Sequence, residues 1–323
     1  MSKRAIIFDT DPGIDDAMAI LFAHYAESLD LVGLTTVVGN ASIETTTRNA
    51  LYLKERFAID APVVRGAGQP LFVDDEAPPT FVHGDDGLGN TYYDAPSGKP
   101  LGQAAAVWLV EQIHRSPSPL TLVAVGRLTN LAIALLLDPT IQDRVEEVVV
   151  MGGAVGTNRF TGNVTPCAEA NIYGDPHAAD RVFRARWPVT LVPLDTTMTC
   201  TMFQEQAARI RDAAGDAGRF IWETTRFYEA FYYSRHKLAG FAMHDSLALG
   251  WLTHSELYQT QEARIRVVGD GIARGQTVWA PTATQYPPGA WDDARPVRVC
   301  TGVDADEFLA AYEQTIVGGT KGY

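Results

Sequence analysis

The sequence predicts an α/β protein in which helices cover both faces of one mostly parallel sheet. Short runs rich in Val, Ile, Leu and Thr alternate along the chain with longer segments whose apolar residues recur at helical spacing. Most of these runs lack apolar–polar alternation, as expected of parallel strands that are buried on both faces. With 323 residues, the chain is long enough to bury a sizeable core.

The strands and helices of this pattern can be assigned in order. Six apolar runs are predicted to be strands: “AIIF” (5–8), “LVGLTTVVG” (31–39), “PVVRG” (62–66), “LTLVAVG” (120–126), “VEEVVVMGG” (145–153) and “VTLVPL” (189–194). Segments between them are predicted to be helices, at 15–27, 43–57, 103–115, 128–137 and 176–186. A helix between two strands returns the chain to the same end of the sheet, so the strands are expected to run parallel.

The last third of the chain has a different pattern. Segments 203–214 and 218–236 are predicted helices, and the second carries most of an aromatic-rich stretch, “RFYEAFYYSRHK” (226–237). “ARIRVV” (263–268) and “PVRVC” (296–300) are predicted strands, and 304–315 is a predicted closing helix. Because no linker, repeat or low-complexity segment divides the sequence, residues 1–323 are predicted to form one domain.

Two long stretches, 68–100 and 151–176, carry many Gly, Pro, Asp or Asn residues and have no clear period. Connections of this length are usually binding loops, lids or partly disordered segments. In open α/β sheets, ligands bind beyond the carboxyl ends of the strands. The acidic segment after the first strand, “GRLTN” and “MGG” all follow predicted strands, so we expect them to meet at one rim of the sheet.

The composition limits the kind of partner. A formal net charge of −13 disfavours nucleic acid and anionic lipid surfaces, so a small molecule or a metal ion is expected. The start, “MSKRAIIFDTD”, has too short an apolar run for a secretion signal, and no stretch approaches membrane-spanning length. Three scattered cysteines, Cys167, Cys200 and Cys300, fit reduced thiols, so a cytoplasmic location is expected.

Four carboxylates lie within “FDTDPGIDDAMAI” (8–20): Asp9, Asp11, Asp15 and Asp16. Asp15 and Asp16 begin a predicted helix, where the helix dipole favours negative charge, so capping is an ordinary explanation for either one. Capping does not account for Asp9 and Asp11, which precede the Pro-Gly turn. Packed carboxylates raise each other's pKa or bind a cation. Oxygen ligands favour Ca²⁺ or Mg²⁺ over zinc, and a calcium site would need further oxygens from elsewhere in the chain.

A phosphatase of the haloacid-dehalogenase type is one alternative, since those enzymes bind Mg²⁺ at a strand that ends in Asp-x-Asp. Their pattern places Thr or Val two residues after the second Asp, where this chain has Gly13 after Pro12. They also need a lysine to neutralise the phosphate, and no segment matches that requirement. The sequence therefore disfavours this alternative.

The acidic stretch “DTDPGIDDAMAI” resembles the fingerprint of the inosine-uridine-preferring nucleoside hydrolases. Further blocks resemble that family in the same order along the chain: “TTVVGN” (35–40), “HGDDGLG” (83–89), “GRLTNLA” (126–132), “VVVMGGA” (148–154), “GNVTPCAEANIYGDPHAA” (162–179) and “MHDSLAL” (243–249). The block that starts at residue 162 is close to that of the plant-type uridine ribohydrolases. The resemblance implies a Rossmann-like fold, one Ca²⁺ per subunit, a homo-dimer or homo-tetramer, and hydrolysis of ribonucleosides to free base and ribose.

The resemblance also implies roles for the acidic residues. Asp11, Asp16 and Asp245 match calcium ligands, and the main-chain carbonyl of Val125 matches a further one. Asp11 matches the general base that takes a proton from a Ca²⁺-bound water. Asp9 matches a supporting position and is not expected to bind the metal.

Other matched positions contact the substrate. Those for the ribose are Asp15, Asn40 and Asn171 at the 2′- and 3′-hydroxyls, Asn163 and Glu169 at the 5′-hydroxyl, and Met151 beside the sugar. His244 matches the family's candidate acid for the leaving base, and His83 matches a residue of the base pocket. Tyr228 and Tyr232, in the aromatic-rich stretch, are further candidates for this pocket.

The base specificity stays open at this point. Some family members carry Phe where this chain has Ala170, and the smaller side chain widens the expected pocket. His83 and His244 favour uridine and inosine, whereas the purine-specific group relies on tryptophan stacking. Two alternatives to this function are a hydrolase of another N-riboside, such as nicotinamide riboside or a modified nucleoside, and a non-catalytic Ca²⁺-dependent binder of nucleoside or ribose.

Overall fold

The computed structural model of the protein describes residues 3–74, 76–289 and 291–320. Its strands are β1 (Arg4–Thr10), β2 (Leu29–Thr36), β3 (Val63–Arg65), β4 (Leu120–Ala124), β5 (Val145–Met151), β6 (Val189–Val192), β7 (Thr201–Phe203), β8 (Gly240–Ala242), β9 (Tyr258–Val267), β10 (Thr277–Pro281) and β11 (Pro296–Val303). Its α-helices are α1 (Ile14–Tyr25), α2 (Ile43–Arg56), α3 (Thr80–His83), α4 (Ala105–Arg115), α5 (Thr129–Leu137), α6 (Ala170–Gly174), α7 (Pro176–Arg184), α8 (Leu194–Thr197), α9 (Gln204–Ala213), α10 (Gly215–His236), α11 (His244–Thr253) and α12 (Ala305–Gly319).

The main sheet confirms the predicted fold class. Its nine strands have the order β10-β9-β11-β6-β5-β4-β1-β2-β3, and all neighbours from β11 to β3 pair in parallel. Only β9 pairs antiparallel, with β10 on one side and β11 on the other. The part β3-β2-β1-β4-β5-β6 has the Rossmann strand order. That order reverses between β1 and β4, so a crevice is expected beyond their carboxyl ends.

Two apolar cores cover the two faces of this sheet. Helices α1, α10, α11 and α12 contribute to one core, and α4, α5 and α7 contribute to the other. The strands β1, β4 and β5 supply residues to both cores, which explains why their sequences are almost continuously apolar. No helix within the described ranges is both long and apolar enough to cross a membrane.

Several helices and strands of the structure were not predicted from the sequence. Helix α11 is the largest, and its residues from His244 to Gly250 are all buried, so it lacks the polar face that produces a helical period. Strand β10 and the two-stranded sheet β7-β8 are short, and β7 and β8 are also distant from each other in sequence. The helices α3, α6 and α8 have four or five residues and lie in segments rich in Pro, Thr and Asn.

Two buried aspartates anchor the long loops that were predicted at 68–100 and 151–176. Asp175 begins α7 and accepts hydrogen bonds from Leu71 N at 2.9 Å, Thr129 Oγ1 at 2.8 Å and Ala178 N at 3.1 Å. Asp195 accepts from Val155 N at 2.8 Å in the second loop. Each loop is therefore fixed to the helical layer by a carboxylate that is fully buried.

We predict that Asp175→Ala destabilises the protein strongly. The substitution leaves three donors without their acceptor, and each unpaired buried donor costs about 1–3 kcal/mol. Urea unfolding should therefore show a loss of roughly 2–4 kcal/mol, part of it from the lost helix cap.

The matched control is Asp304→Ala, at the exposed start of α12. Asp304 accepts a single hydrogen bond, from Glu307 N at 3.2 Å, so the expected loss is about 1 kcal/mol or less. Equal losses in the two variants would contradict the anchoring role of Asp175.

Candidate active site

A cavity of about 490 Å³ opens beyond the carboxyl ends of the parallel strands, and Asp11 and Val125, which follow β1 and β4, both line it. It holds every predicted site residue except Asp16: Asp11, Asp15, Asn40, His83, Val125, Met151, Asn163, Glu169, Asn171, Tyr228, Tyr232, His244 and Asp245. These residues come from widely separated segments, and the topological switch between β1 and β4 brings them together.

Asp16 is not in the cavity wall because its carboxylate is used inside the acidic segment. Its Oδ1 accepts from Thr10 Oγ1 at 2.6 Å and Asp11 N at 3.1 Å. Its Oδ2 accepts from Gly13 N at 2.9 Å and Asn40 Nδ2 at 2.8 Å. Asp16 therefore caps α1 and also fixes the backbone that carries Asp11, so the capping and functional explanations both apply to it.

Asp11 and Asp15 each keep one buried oxygen without a hydrogen-bond partner, Oδ1 in both cases. Asp11 Oδ2 accepts from Asn40 N at 2.8 Å, and Asp15 Oδ2 accepts from Tyr228 Oη at 3.1 Å. One carboxylate oxygen from each of Asp15, Asp16 and Asp245 lies within 4.8 Å of the other two. Asp15 therefore offers a buried anionic oxygen without a donor beside two further carboxylates, and such a group of oxygens fits a hard divalent cation.

Two glycines determine where the Asp11 side chain can lie. A Cβ at Gly39 would overlap Asp11 Oδ2, and a Cβ at Gly126 would approach Asp11 Oδ1 to 2.5 Å. The carboxylate therefore lies in a slot between the segments that follow β2 and β4. Gly13 has a similar role on the other side of the turn, because a Cβ there would approach His83 Nδ1 to 2.6 Å.

Burial is the main cause of the altered acidity in the cluster. It raises the pKa of Asp15 to about 6. Burial, together with neighbouring carboxylates, also raises the pKa values of Asp11, Asp16 and Asp245. Asp9 lies within β1, before the rest of the cluster. Burial raises its pKa to about 7, although hydrogen bonds from Thr35 and Asn130 act to lower it. A bound cation would oppose this rise in pKa, because it favours the ionised form of the carboxylates.

The residues predicted to bind ribose line the cavity near β5 and α6. Asn171 Nδ2 donates to Val125 O at 2.6 Å and to Met151 O at 3.2 Å, so it joins the ends of β4 and β5. Glu169 caps α6: its two carboxylate oxygens accept from Gly153 N, Asn171 N and Ile172 N. Burial raises the pKa of Glu169 to about 7. Asn163 Oδ1 accepts from Ala170 N at 3.0 Å.

A row of aromatic and imidazole side chains lines the cavity beside Asp15, with Tyr228 Oη 3.1 Å from Asp15 Oδ2 and His83 Nδ1 3.9 Å from Asp15 Oδ1. His83 Nδ1 accepts from Ile14 N at 3.2 Å, and burial lowers the His83 pKa to about 4, so the ring is neutral with its proton on Nε2. Tyr232 Oη lies 2.6 Å from His244 Nε2, and Thr197 Oγ1 lies 2.6 Å from His244 Nδ1. Burial lowers the His244 pKa to about 3, so His244 is also neutral.

Several lining residues were not predicted. Arg127 is buried in the cavity wall, and its positive charge opposes the rise in the Asp11 pKa. Its position inside “GRLTN” could have predicted this, because a cluster of carboxylates needs a nearby positive charge to offset their repulsion. Phe160 and Phe231 also line the cavity, from the predicted loop 151–176 and the aromatic-rich stretch, whereas the segment of Arg274 carries no motif that indicates this. None of the six tryptophans, all of which lie in the described ranges, lines the cavity.

The chain is similar to known proteins over nearly its whole length. Residues 6–310 match the family described as inosine-uridine preferring nucleoside hydrolase. A “Probable uridine nucleosidase 1” from Oryza sativa subsp. japonica is 35% identical over 98% of this chain and 97% of its own. A solved structure titled “Plant nucleoside hydrolase - PpNRh1 enzyme” has a TM-score of 0.92 and 34% identity, covering 97% of this chain and 99% of its own.

A second solved structure is that of a purine-preferring ribonucleoside hydrolase from Gardnerella vaginalis. It has a TM-score of 0.90 and 30% identity, and covers 99% of this chain and 100% of its own. The similarity in sequence and fold to enzymes of this kind over nearly the whole chain identifies a hydrolase of ribonucleosides. The protein belongs to the inosine-uridine preferring nucleoside hydrolase family.

We predict that Asp9→Asn changes the pH dependence of stability in calcium-free buffer. The folded pKa of Asp9, about 7, lies above its ordinary value of 3.8. The stability it contributes is therefore complete below pH 4 and is lost as the pH rises towards 7. Asparagine does not titrate, so the stability of Asp9→Asn relative to wild type should rise by roughly 2–4 kcal/mol between pH 4 and 7.

Asp212→Asn provides the control for this measurement. The hydrogen bond from the Arg211 guanidinium lowers the Asp212 pKa below its ordinary value of 3.8, so neither its folded nor its ordinary value lies between pH 5 and 7. Its difference from wild type should stay constant over that range in urea unfolding. A constant difference for Asp9→Asn as well would show that Asp9 stays ionised in the folded protein.

Proposed function

We propose that the protein hydrolyses the N-glycosidic bond of uridine, inosine or both, with a Ca²⁺ ion in the acidic cluster and Asp11 as the general base. The observation that best supports this proposal is the Asp11 carboxylate, which is buried between Gly39 and Gly126 and has one oxygen without a hydrogen-bond partner. An oxygen kept in this state loses solvation without gaining a donor, a cost that a ligand or a reacting proton offsets.

The donor set fits calcium better than a softer metal. Asp11, Asp16, Asp245 and the Val125 carbonyl would hold the ion, and all of these donors are oxygens. When bound, the ion would neutralise part of the cluster charge, chelate the ribose diol and lower the pKa of a water molecule. The Val125 carbonyl accepts from Asn171, but a carbonyl oxygen has a second lone pair.

The chain's own residues would then orient the sugar and accept the proton. Asp11 Oδ2 is occupied by Asn40 N, so Oδ1 is the oxygen available to take a proton from the attacking water. Asp15 and Asn171 flank this position as the proposed partners of the 2′- and 3′-hydroxyls. The surrounding carboxylates would stabilise the positive charge that develops on the sugar as the bond to the base breaks.

Aromatic and imidazole residues of the cavity would assist the departing base. Its nitrogen must gain a proton or leave as an anion, and Tyr228, Tyr232, His83 and His244 all line the cavity. Burial holds both histidines neutral and raises the pKa of Tyr232, so the Tyr232 hydroxyl beside His244 keeps its proton at neutral pH and would be the proton source. A pyrimidine or hypoxanthine base is favoured because no tryptophan within the described ranges lines the cavity. Assembly as a homo-dimer or homo-tetramer and a cytoplasmic location stay predictions.

The function is tested by release of free base from uridine, inosine, cytidine, adenosine and 2′-deoxyuridine. We expect rapid hydrolysis of uridine or inosine, and loss of activity after removal of calcium with a strong chelator. 2′-Deoxyuridine should be hydrolysed at least about a thousandfold less efficiently, because buried groups that bind the 2′-hydroxyl lose their partner. Asp11→Ala should reduce kcat by roughly 10³-fold or more.

The control for Asp11→Ala is Asp30→Ala, at an exposed aspartate on β2 outside the cavity, which should keep wild-type rates. Bound calcium without turnover of any nucleoside would favour the binding protein or the hydrolase of another N-riboside. Equal kcat/KM on uridine and 2′-deoxyuridine would contradict the proposed ribose contacts.

We predict that His244→Ala acts on the departure of the base. Uridine and inosine need assistance at the leaving group, whereas p-nitrophenyl riboside releases a stable anion. The substitution should reduce kcat on uridine or inosine by about 10²-fold or more and change p-nitrophenyl riboside hydrolysis by less than about threefold. Equal losses on both kinds of substrate would place His244 outside leaving-group assistance.

A further inference from the structure

The acidic turn, residues 9–16, is held in shape mainly by its own hydrogen bonds. The Asp16 carboxylate accepts from Thr10 Oγ1 at 2.6 Å, from Asp11 N at 3.1 Å and from Gly13 N at 2.9 Å. All three donors belong to the turn itself. Its shape is therefore largely set before any later part of the chain packs against it.

The His83 segment, residues 83–92, is also held together internally. Its centre is the buried Asp86 carboxylate. Asp86 Oδ1 accepts from Leu88 N and Asn90 N, both at 2.8 Å, and Oδ2 accepts from Tyr92 N at 2.7 Å. The segment is thus a second compact unit, and the position of its histidine in the cavity depends on how this unit sits against the acidic turn.

Asn49, in the middle of helix α2, connects the two units. Its side chain is buried, and its Nδ2 donates to Pro12 O in the acidic turn and to Asp86 O in the His83 segment, both at 3.0 Å. Both acceptors are carbonyl oxygens, so the NH₂ group of the amide must face them. Gly87 leaves room for this group, because a Cβ there would approach Asn49 Nδ2 to 2.8 Å. One planar amide thus sets the separation of the two carbonyls.

The contact of His83 with the acidic turn depends on that separation. Ile14 N donates to His83 Nδ1 at 3.2 Å, the long end of the usual range for this kind of hydrogen bond. A small outward movement of the His83 segment would therefore break it. On its other side the imidazole lies 5.7 Å from the ring of Tyr228, which belongs to helix α10.

We infer that Asn49 is a positioning residue that fixes the His83 segment against the acidic turn and so sets where the His83 imidazole lies in the cavity. Asn49 itself does not line the cavity, so it acts through His83. The catalytic consequence rests on the proposed nucleoside hydrolysis, whereas the position of His83 is a property of the free protein.

This role predicts an effect on the base and not on the sugar. The ribose and the base of a nucleoside are joined by one bond, so the ribose contacts and His83 must be in register at the same time. A displaced His83 leaves the ribose contacts in place but loses its alignment with the base. A misplacement of about 1 Å can lower the rate by roughly a hundredfold.

The test compares Asn49→Leu, which removes the amide at similar size, with Asn158→Leu. Asn158 is a matched control, since its Nδ2 also donates to two carbonyls of separate segments, Asp195 O at 3.1 Å and Thr301 O at 3.2 Å, and it does not line the cavity. Asn49→Leu should lower kcat/KM on uridine or inosine about tenfold to a hundredfold, and Asn158→Leu less than about threefold. The inhibition constant of free ribose, which has no base, should change less than about twofold in both.

A double-mutant cycle with His83→Ala shows whether Asn49 acts through the histidine. In the His83→Ala background, Asn49→Leu should lower kcat/KM by less than about threefold, because the group that it positions is absent. Asn49→Ser provides a second variant if Asn49→Leu does not fold. Its hydroxyl has one proton and can serve at most one of the two carbonyls, so we expect a smaller loss that also disappears in His83→Ala.

Crystal structures of the variants provide a readout that is independent of activity. The distance from Ile14 N to His83 Nδ1 should exceed hydrogen-bond range in Asn49→Leu or Asn49→Ser and stay unchanged in Asn158→Leu. An unmoved His83, fully additive losses in the cycle, or ribose inhibition weakened as much as nucleoside hydrolysis would overturn the role of Asn49. Wild-type protein that hydrolyses no nucleoside would refute the proposed function, while the structures would still decide whether Asn49 positions His83.

Discussion

The burial of several carboxylates at one edge of a parallel sheet is the constraint on which the rest of the site depends. Charged groups lose solvation on burial, and like charges repel one another, so this arrangement needs compensation from its surroundings. Asp16 receives it from four donors, whereas Asp11 and Asp15 each leave one oxygen unsatisfied. Part of the cost is therefore carried by two of the carboxylates that line the cavity, Asp11 and Asp15, where a ligand can offset it.

The sheet distributes the components of this site in a simple way. The segments after β1, β2 and β4 supply Asp11 and the two glycines that enclose it. The segment after β5 supplies the loop 151–176, and the segment after β6 supplies helix α8. Helix α10 contributes its aromatic side chains from one face of the sheet. The cavity thus combines carboxylates, which suit a sugar in which positive charge develops, with aromatic side chains, which suit a flat base.

Much of the fold and the site could be predicted because the signals are local. The β-α alternation indicated the parallel sheet, and the strand ends located Asp11 and Val125 at one rim. The partners of each side chain were not predictable. Asn40 gives its amide to Asp16, and Glu169 caps α6, because these contacts depend on how distant segments approach one another. Thr197 is 47 residues from His244, and no motif surrounds it. Helix α11 was missed because a helix buried on all sides has no amphipathic period.

The slot between Gly39 and Gly126 has a consequence for how the molecule can vary. Because any side chain at either position would collide with Asp11, the carboxylate is confined between the two backbone segments once the chain has folded. The entropy of orienting this group is thus lost during folding and need not be lost again at each turnover. In a library of random variants, these two positions should tolerate almost no replacement, although neither glycine has a side chain that could take part in the reaction.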